Sequence, residues 1–111
     1  MIELALKAIS DPRRMEILRL LRDEEMAAGD ISSNFPDVTR PAISQHLQVL
    51  AEARLVTVRR EGTKRIYRTR PEGMQEIRAY LESYWSDNLQ LLKLEAEADE
   101  GRLRKRAKTG E

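Results

Sequence analysis

Ser44, Gln45 and Gln48 are the side chains whose type and spacing point most directly to chemistry. Each is uncharged and can both donate and accept hydrogen bonds. At about 100° per residue they share one side of a helix with Pro41, while Ile43, Leu47 and Leu50 fall on the other. Such a surface can address base edges in a major groove, and a glutamine amide matches adenine, which presents a donor and an acceptor side by side. An ordinary solvated helix face looks the same on the wheel, so this segment alone leaves both readings open.

The next segment separates them. From Arg54 to Arg70 seven bases (Arg54, Arg59, Arg60, Lys64, Arg65, Arg68 and Arg70) accompany one acid, Glu61. The whole chain has a formal charge of +1 although 35% of it is charged, so positive charge is placed here and not spread in excess. Val56 and Val58 alternate with Thr57 and Arg59, Gly62 marks a bend, and Lys64 to Thr69 reads as a returning strand. The basic groups therefore ride on a short two-stranded ribbon beside the polar helix. Arg59, Arg60, Thr63, Lys64 and Arg65 are the expected phosphate contacts, which add affinity and orientation without reading sequence. At the polar helix, Thr39, Arg40 and Pro41 join Ser44, Gln45 and Gln48 as the expected recognition surface. The competing account of the ribbon is a charge-protected edge hairpin.

These groups need elements to hold them. Ile2, Leu6 and Ile9 predict a first helix ending at Ser10-Asp11-Pro12, where Ser10 or Asp11 caps a second helix running to about Asp23. Met15, Ile17, Leu18, Leu20 and Leu21 cover so much of that second helix that it is expected to be largely buried. A third helix is expected from about Ala28 to Phe35, and Thr39 then caps a fourth reaching about Ala53. The third and fourth, joined by Pro36-Asp37-Val38, make a candidate helix-turn-helix. From Pro71 a fifth helical pattern runs to about Ala98. The fold class expected is mainly α with a small β-hairpin wing: residues 1–98 form one DNA-binding and dimerisation domain, and 99–111 a charged, disordered tail.

Composition removes several classes. A chain of 111 residues with 41% hydrophobic content supports one modest core. Without cysteine there is no disulfide, thiolate metal site or cysteine nucleophile, and the single histidine, His46, lacks metal partners. The wheel places His46 beside Ile43 and Leu50, which suits a half-buried structural histidine, a phosphate contact or weak pH effect being the alternative. No catalytic pairing or glycine-rich phosphate loop is recognisable, so the chain is not read as an enzyme and no cofactor is expected. Neither Met1 to Asp11 nor any later stretch carries the apolar run of a signal or a membrane span, and a cytoplasmic location is the default.

Taken in order, Ala8-Ile9-Ser10-Asp11-Pro12-Arg13-Arg14, Pro41-Ala42-Ile43-Ser44-Gln45-His46-Leu47, Leu50-Ala51-Glu52-Ala53-Arg54-Leu55-Val56, Arg59-Arg60-Glu61-Gly62 and Ile66-Tyr67 resemble the ArsR-like winged-helix repressors. The resemblance covers about Leu4 to Thr69 and implies dimeric operator binding, with Ser44, Gln45 and Gln48 on the recognition helix and Arg59 to Arg65 as the wing. Metal sensing by third-helix cysteines or last-helix histidines does not carry over, because neither residue type is present there. The family pattern has glycine at Arg54, which implies a left-handed backbone that costs arginine about 1 kcal/mol.

The last helical pattern, about 28 residues or roughly 40 Å, is too long for a domain whose radius of gyration is near 13 Å to cover. With the first helix it is expected to form a two-fold interface through Ile2, Leu6, Ile77, Leu81, Tyr84, Trp85, Asn88 and Leu92, Asn88 setting register. The aromatic residues have a second use open to them, as the lining of a ligand pocket. Expected partners are double-stranded DNA, a second copy and an effector of unspecified chemistry. The alternative function is a winged-helix module that binds protein and not DNA.

Overall fold

Asp11 begins the ordered architecture. Its carboxylate accepts hydrogen bonds from the backbone N–H groups of Arg13 and Arg14 at 2.8 and 3.3 Å and opens one helix, just after Ser10 has closed the preceding one by donating its N–H and hydroxyl to the Lys7 carbonyl. The computed structural model of the chain describes residues 2–83 and 94–98. Its helices are α1 (Ile2–Ile9), α2 (Pro12–Leu20), α3 (Ala28–Ser33), α4 (Arg40–Glu52) and α5 (71–83), and residues 94–98 are also helical. Five helices are expected from the sequence and six helical segments occur among the described residues, because the pattern from Pro71 to Ala98 is described only at its two ends. The chain divides into two compact units, Met1–Ile77 and Arg78–Glu111. The expected tail, 99–111, lies outside the described residues.

Three strands, β1 (Met26–Ala27), β2 (Val56–Glu61) and β3 (Lys64–Thr69), form an antiparallel sheet in the order β1-β3-β2. The wing is thus three-stranded where the sequence predicts two. β1 pairs Met26 with Tyr67 and Ala27 with Ile66, and two residues are too few to display an alternating pattern. The β2–β3 register, from Val56 opposite Thr69 to Glu61 opposite Lys64, leaves Gly62 and Thr63 as a two-residue loop. Gly62 has φ of 63°, the conformation a tight hairpin demands at its first central position.

Ile17, Leu21, Ile31, Ile43, Leu47, Leu50 and Leu55 are the largest fully buried side chains of the first unit, and Ala5, Ala8, Leu18, Phe35, Ala53, Val56, Tyr67 and Ile77 complete its core. α2 ends at Leu20 and not Asp23, since the chain turns through Leu21 toward β1. Of its expected core residues Met15 is exposed and Leu20 half-buried. α3 stops at Ser33 and not Phe35, yet Phe35 stays buried in the turn that follows. Val58 is exposed because the ribbon leaves the body after Val56. In the second unit, Arg78 donates to Glu82 at 2.7 Å one helical turn on, and Leu81 and Leu94 are exposed.

Candidate nucleic-acid interface

Thr39 fixes where the polar helix starts. Its backbone is extended and its hydroxyl accepts a hydrogen bond from the Ala42 N–H at 3.3 Å, while Pro41 occupies the first turn, where no N–H is needed. Ile43, Leu47 and Leu50 are buried to within 1% exposure and hold one side of α4 against the core. Ser44, Gln45 and Gln48 are exposed on the other, as is Arg40 at its beginning. The Gln48 amide donates to Glu52 at 3.3 Å, which orients its carboxamide along the helix.

The other end of α4 closes with paired bonds, Leu55 N–H to the Leu50 carbonyl and Arg54 N–H to the Ala51 carbonyl, both 3.0 Å. This termination needs a left-handed residue, and Arg54 supplies it with φ of 62°. The Arg54 carbonyl accepts from Arg70 at 3.3 Å. A Cβ at Gly73 would stand 2.3 Å from that same oxygen, so glycine is what lets the start of α5 approach the end of α4.

Arg14, not singled out by sequence reasoning, joins three helices. Its Nε donates to the Ala8 carbonyl at 2.7 Å, one Nη to His46 Nδ1 at 3.3 Å, and Asp11 lies 3.8 Å away. His46 is accordingly a half-buried structural acceptor on the inner flank of α4. Burial pushes the Asp11 carboxyl up, but the N–H groups of Arg13 and Arg14 and the positive charge of Arg14 together outweigh it, so its pKa lies below the ordinary value. Arg13 reaches the helix-turn-helix turn, lying 5.3 Å from the Phe35 ring centre and 3.5 Å from Asp37.

Arg40, Thr63, Lys64 and Arg65 come together. With Ala27 to Asp30 they line one open depression of about 390 Å³ between the start of α4 and the tip of the ribbon. Gly29 makes room there: a Cβ on it would meet the Arg40 guanidinium at 2.8 Å. Arg60 stands directly opposite Arg65 across the hairpin. Arg40, Arg60, Lys64 and Arg65 are all exposed and have no hydrogen-bond or ion-pair partner among the described residues. Arg59 differs: its two Nη atoms grip Glu25 at 2.5 and 2.6 Å, and one also reaches Glu61 at 2.9 Å. That contact holds the Glu25 carboxyl below its ordinary range and raises the Arg59 pKa above its own.

Of the expected interface residues, Ile77 belongs to the protomer's own core, Ile2 and Leu6 are half-buried against it, and Leu81 is exposed. Tyr84, Trp85, Asn88 and Leu92 lie outside the described residues.

A family model described as a helix-turn-helix domain matches residues 9–59, from the end of α1 into β2. The HTH-type transcriptional regulator Rv2034 of Mycobacterium tuberculosis is 40% identical over 82 residues, 74% of this chain and 76% of that protein. The arsenical resistance operon repressor of Staphylococcus xylosus is 34% identical over 106 residues, 96% of this chain and 90% of its own. The chain belongs to the ArsR family of winged helix-turn-helix transcriptional regulators. A homodimeric winged helix-turn-helix DNA-binding domain from Mycobacterium bovis, described as a possible ArsR-family regulator, superposes with a TM-score of 0.62 at 29% identity, covering 79% of this chain and 81% of that one. In this ArsR-family chain α3 and α4 are the helix-turn-helix and β2–β3 the wing. No group of three or more His, Asp or Glu side chains able to hold a metal gathers among the described residues, and none of their helices is long and apolar enough to cross a membrane.

Proposed function

We propose that this protein is a repressor that binds an inverted-repeat operator in double-stranded DNA as a homodimer, a regulator and not an enzyme, working where the chromosome is. Ser44, Gln45 and Gln48 read base edges in the major groove, and Thr39, Arg40 and Pro41 bring the start of α4 against the backbone. Thr63, Lys64 and Arg65 on the wing, with Arg60, bind phosphates. The observation that carries this reading is the shared depression of Arg40, Thr63, Lys64 and Arg65, which sets free positive charge beside an exposed helix face of amides and a hydroxyl.

Pairing is supported by the homodimeric Mycobacterium bovis neighbour and by the apolar side chains that α1 leaves partly open, Ile2, Leu6 and the exposed Leu4. Two copies related by a two-fold axis place their α4 helices in successive major grooves, about 34 to 36 Å apart. Selection of bound fragments from random duplex DNA, at fixed and stated salt, tests the proposal. Recovery of an inverted repeat with that spacing is expected; unselective recovery would sink it.

A further inference from the structure

Arg59 belongs to the basic ribbon by sequence but not by chemistry. Three of its N–H groups are committed to carboxylate oxygens, two on Glu25 and one on Glu61. With two acids around one base, the Arg59 charge is already balanced within the trio, which leaves its guanidinium no unmatched charge for a phosphate. Glu25 directly precedes β1, Arg59 sits in β2, and β3 runs between those strands. The ion pair therefore crosses the middle strand, where Ile66 faces Arg59 on one side and Ala27 on the other.

Side-chain alternation adds an independent observation. Thr57, Arg59 and Glu61 share one face of β2, and Arg60 points to the opposite face, where its cross-strand neighbour is Arg65. Like charges placed directly opposite destabilise a hairpin unless an anion lies against them. The face of Arg60 and Arg65 thus calls for phosphate; on the opposite face, which Lys64 and Arg68 share with Arg59, the two acids are already bound to Arg59.

We infer that Arg59 is a positioning residue of the wing, strapping β2 to the segment before β1 through Glu25 while Glu61 of its own strand holds the guanidinium, and that it takes no phosphate. The phosphate part rests on the DNA-binding reading above; the strap does not. Arg59 sets the pitch of the ribbon relative to α3 and α4, so that Arg60, Lys64 and Arg65 meet the backbone.

Glu25→Gln gives the two roles opposite signs. If Arg59 bound phosphate, removing a competing carboxylate would free it, tightening binding and steepening its dependence on salt. As a positioning residue it loses its anchor instead: E25Q and R59Q each weaken duplex binding about two- to fivefold, the range of an exposed ion pair, and the double variant is no worse than either single one. Their slope of log affinity against log salt stays at the wild-type value, whereas R65Q makes it shallower by about 2 in a dimer. Tighter binding by E25Q, or a shallower slope for R59Q, overturns the inference. Amide hydrogen exchange in the unbound protein reads the strap without DNA: both variants should exchange faster at the β1–β3 pairing, and unchanged rates would overturn it. A wild type without duplex affinity would sink the DNA reading, and the exchange data would still decide the role of Arg59.

Discussion

Arg54 holds a backbone conformation that glycine adopts freely and arginine adopts at a cost, with φ of 62° at the close of the recognition helix. Arg54→Gly should therefore raise stability by about 0.5 kcal/mol, left-handed strain relieved less the added freedom of the unfolded chain, as read from denaturant unfolding. A loss of stability would instead assign the Arg54 side chain a stabilising contact. Gln45 and Gln48 make a different forecast: alanine at either should weaken binding to a selected operator by about 1 to 3 kcal/mol and relax preference at one base, with the salt slope unchanged. Competition against single-base variants of the site checks this. The strained Arg54 was legible because family likeness set a glycine at that place. The partners of Arg59 and Arg14 were not, since Glu25 is 34 residues from Arg59 and His46 is 32 from Arg14, and no local pattern announces a pairing over such separations.

Helix ends carry more of the fold than their length suggests, and α2 shows why. Asp11 caps two backbone N–H groups and faces Arg14, so Asp11→Ala should cost about 1 to 2 kcal/mol in unfolding free energy. Because its folded pKa lies below the unfolded one, this contribution is fully present above the unfolded value and fades as pH falls through the folded value. Stability measured down the acid limb should drop less steeply in Asp11→Asn than in the wild type; equal slopes would remove Asp11 from the account. Elements marked by caps and periodicity, α1, α4 and the β2–β3 hairpin, match what their residues predict. β1 was hidden because Met26–Ala27 is defined by pairing with β3 and not by its own pattern. Ile77 lies on the apolar side of its helix, and periodicity says only that such a residue is covered; the structure covers it with the protomer itself.

A near-neutral chain that binds a polyanion must concentrate its free cations, and the assembled protein should show how many it uses. Arg40, Arg60, Lys64 and Arg65 are four per protomer, so a homodimer engaging one phosphate with each should give a slope of about −7 for log affinity against log salt. A slope near −2 would mean the ribbon stands off the backbone. Exposed Leu81 tests the pairing: Leu81→Glu should shift the protein to monomer in sedimentation at micromolar concentration and depress operator affinity, while its thermal unfolding stays cooperative. The contact between Gly73 and the Arg54 carbonyl also offers a practical handle. A methyl group at 73 has nowhere to go but against the carbonyl oxygen just past the end of α4. Alanine, serine and valine at this one site form a graded series, a dimmer that detunes repression through the backbone and leaves every DNA-facing side chain as it was.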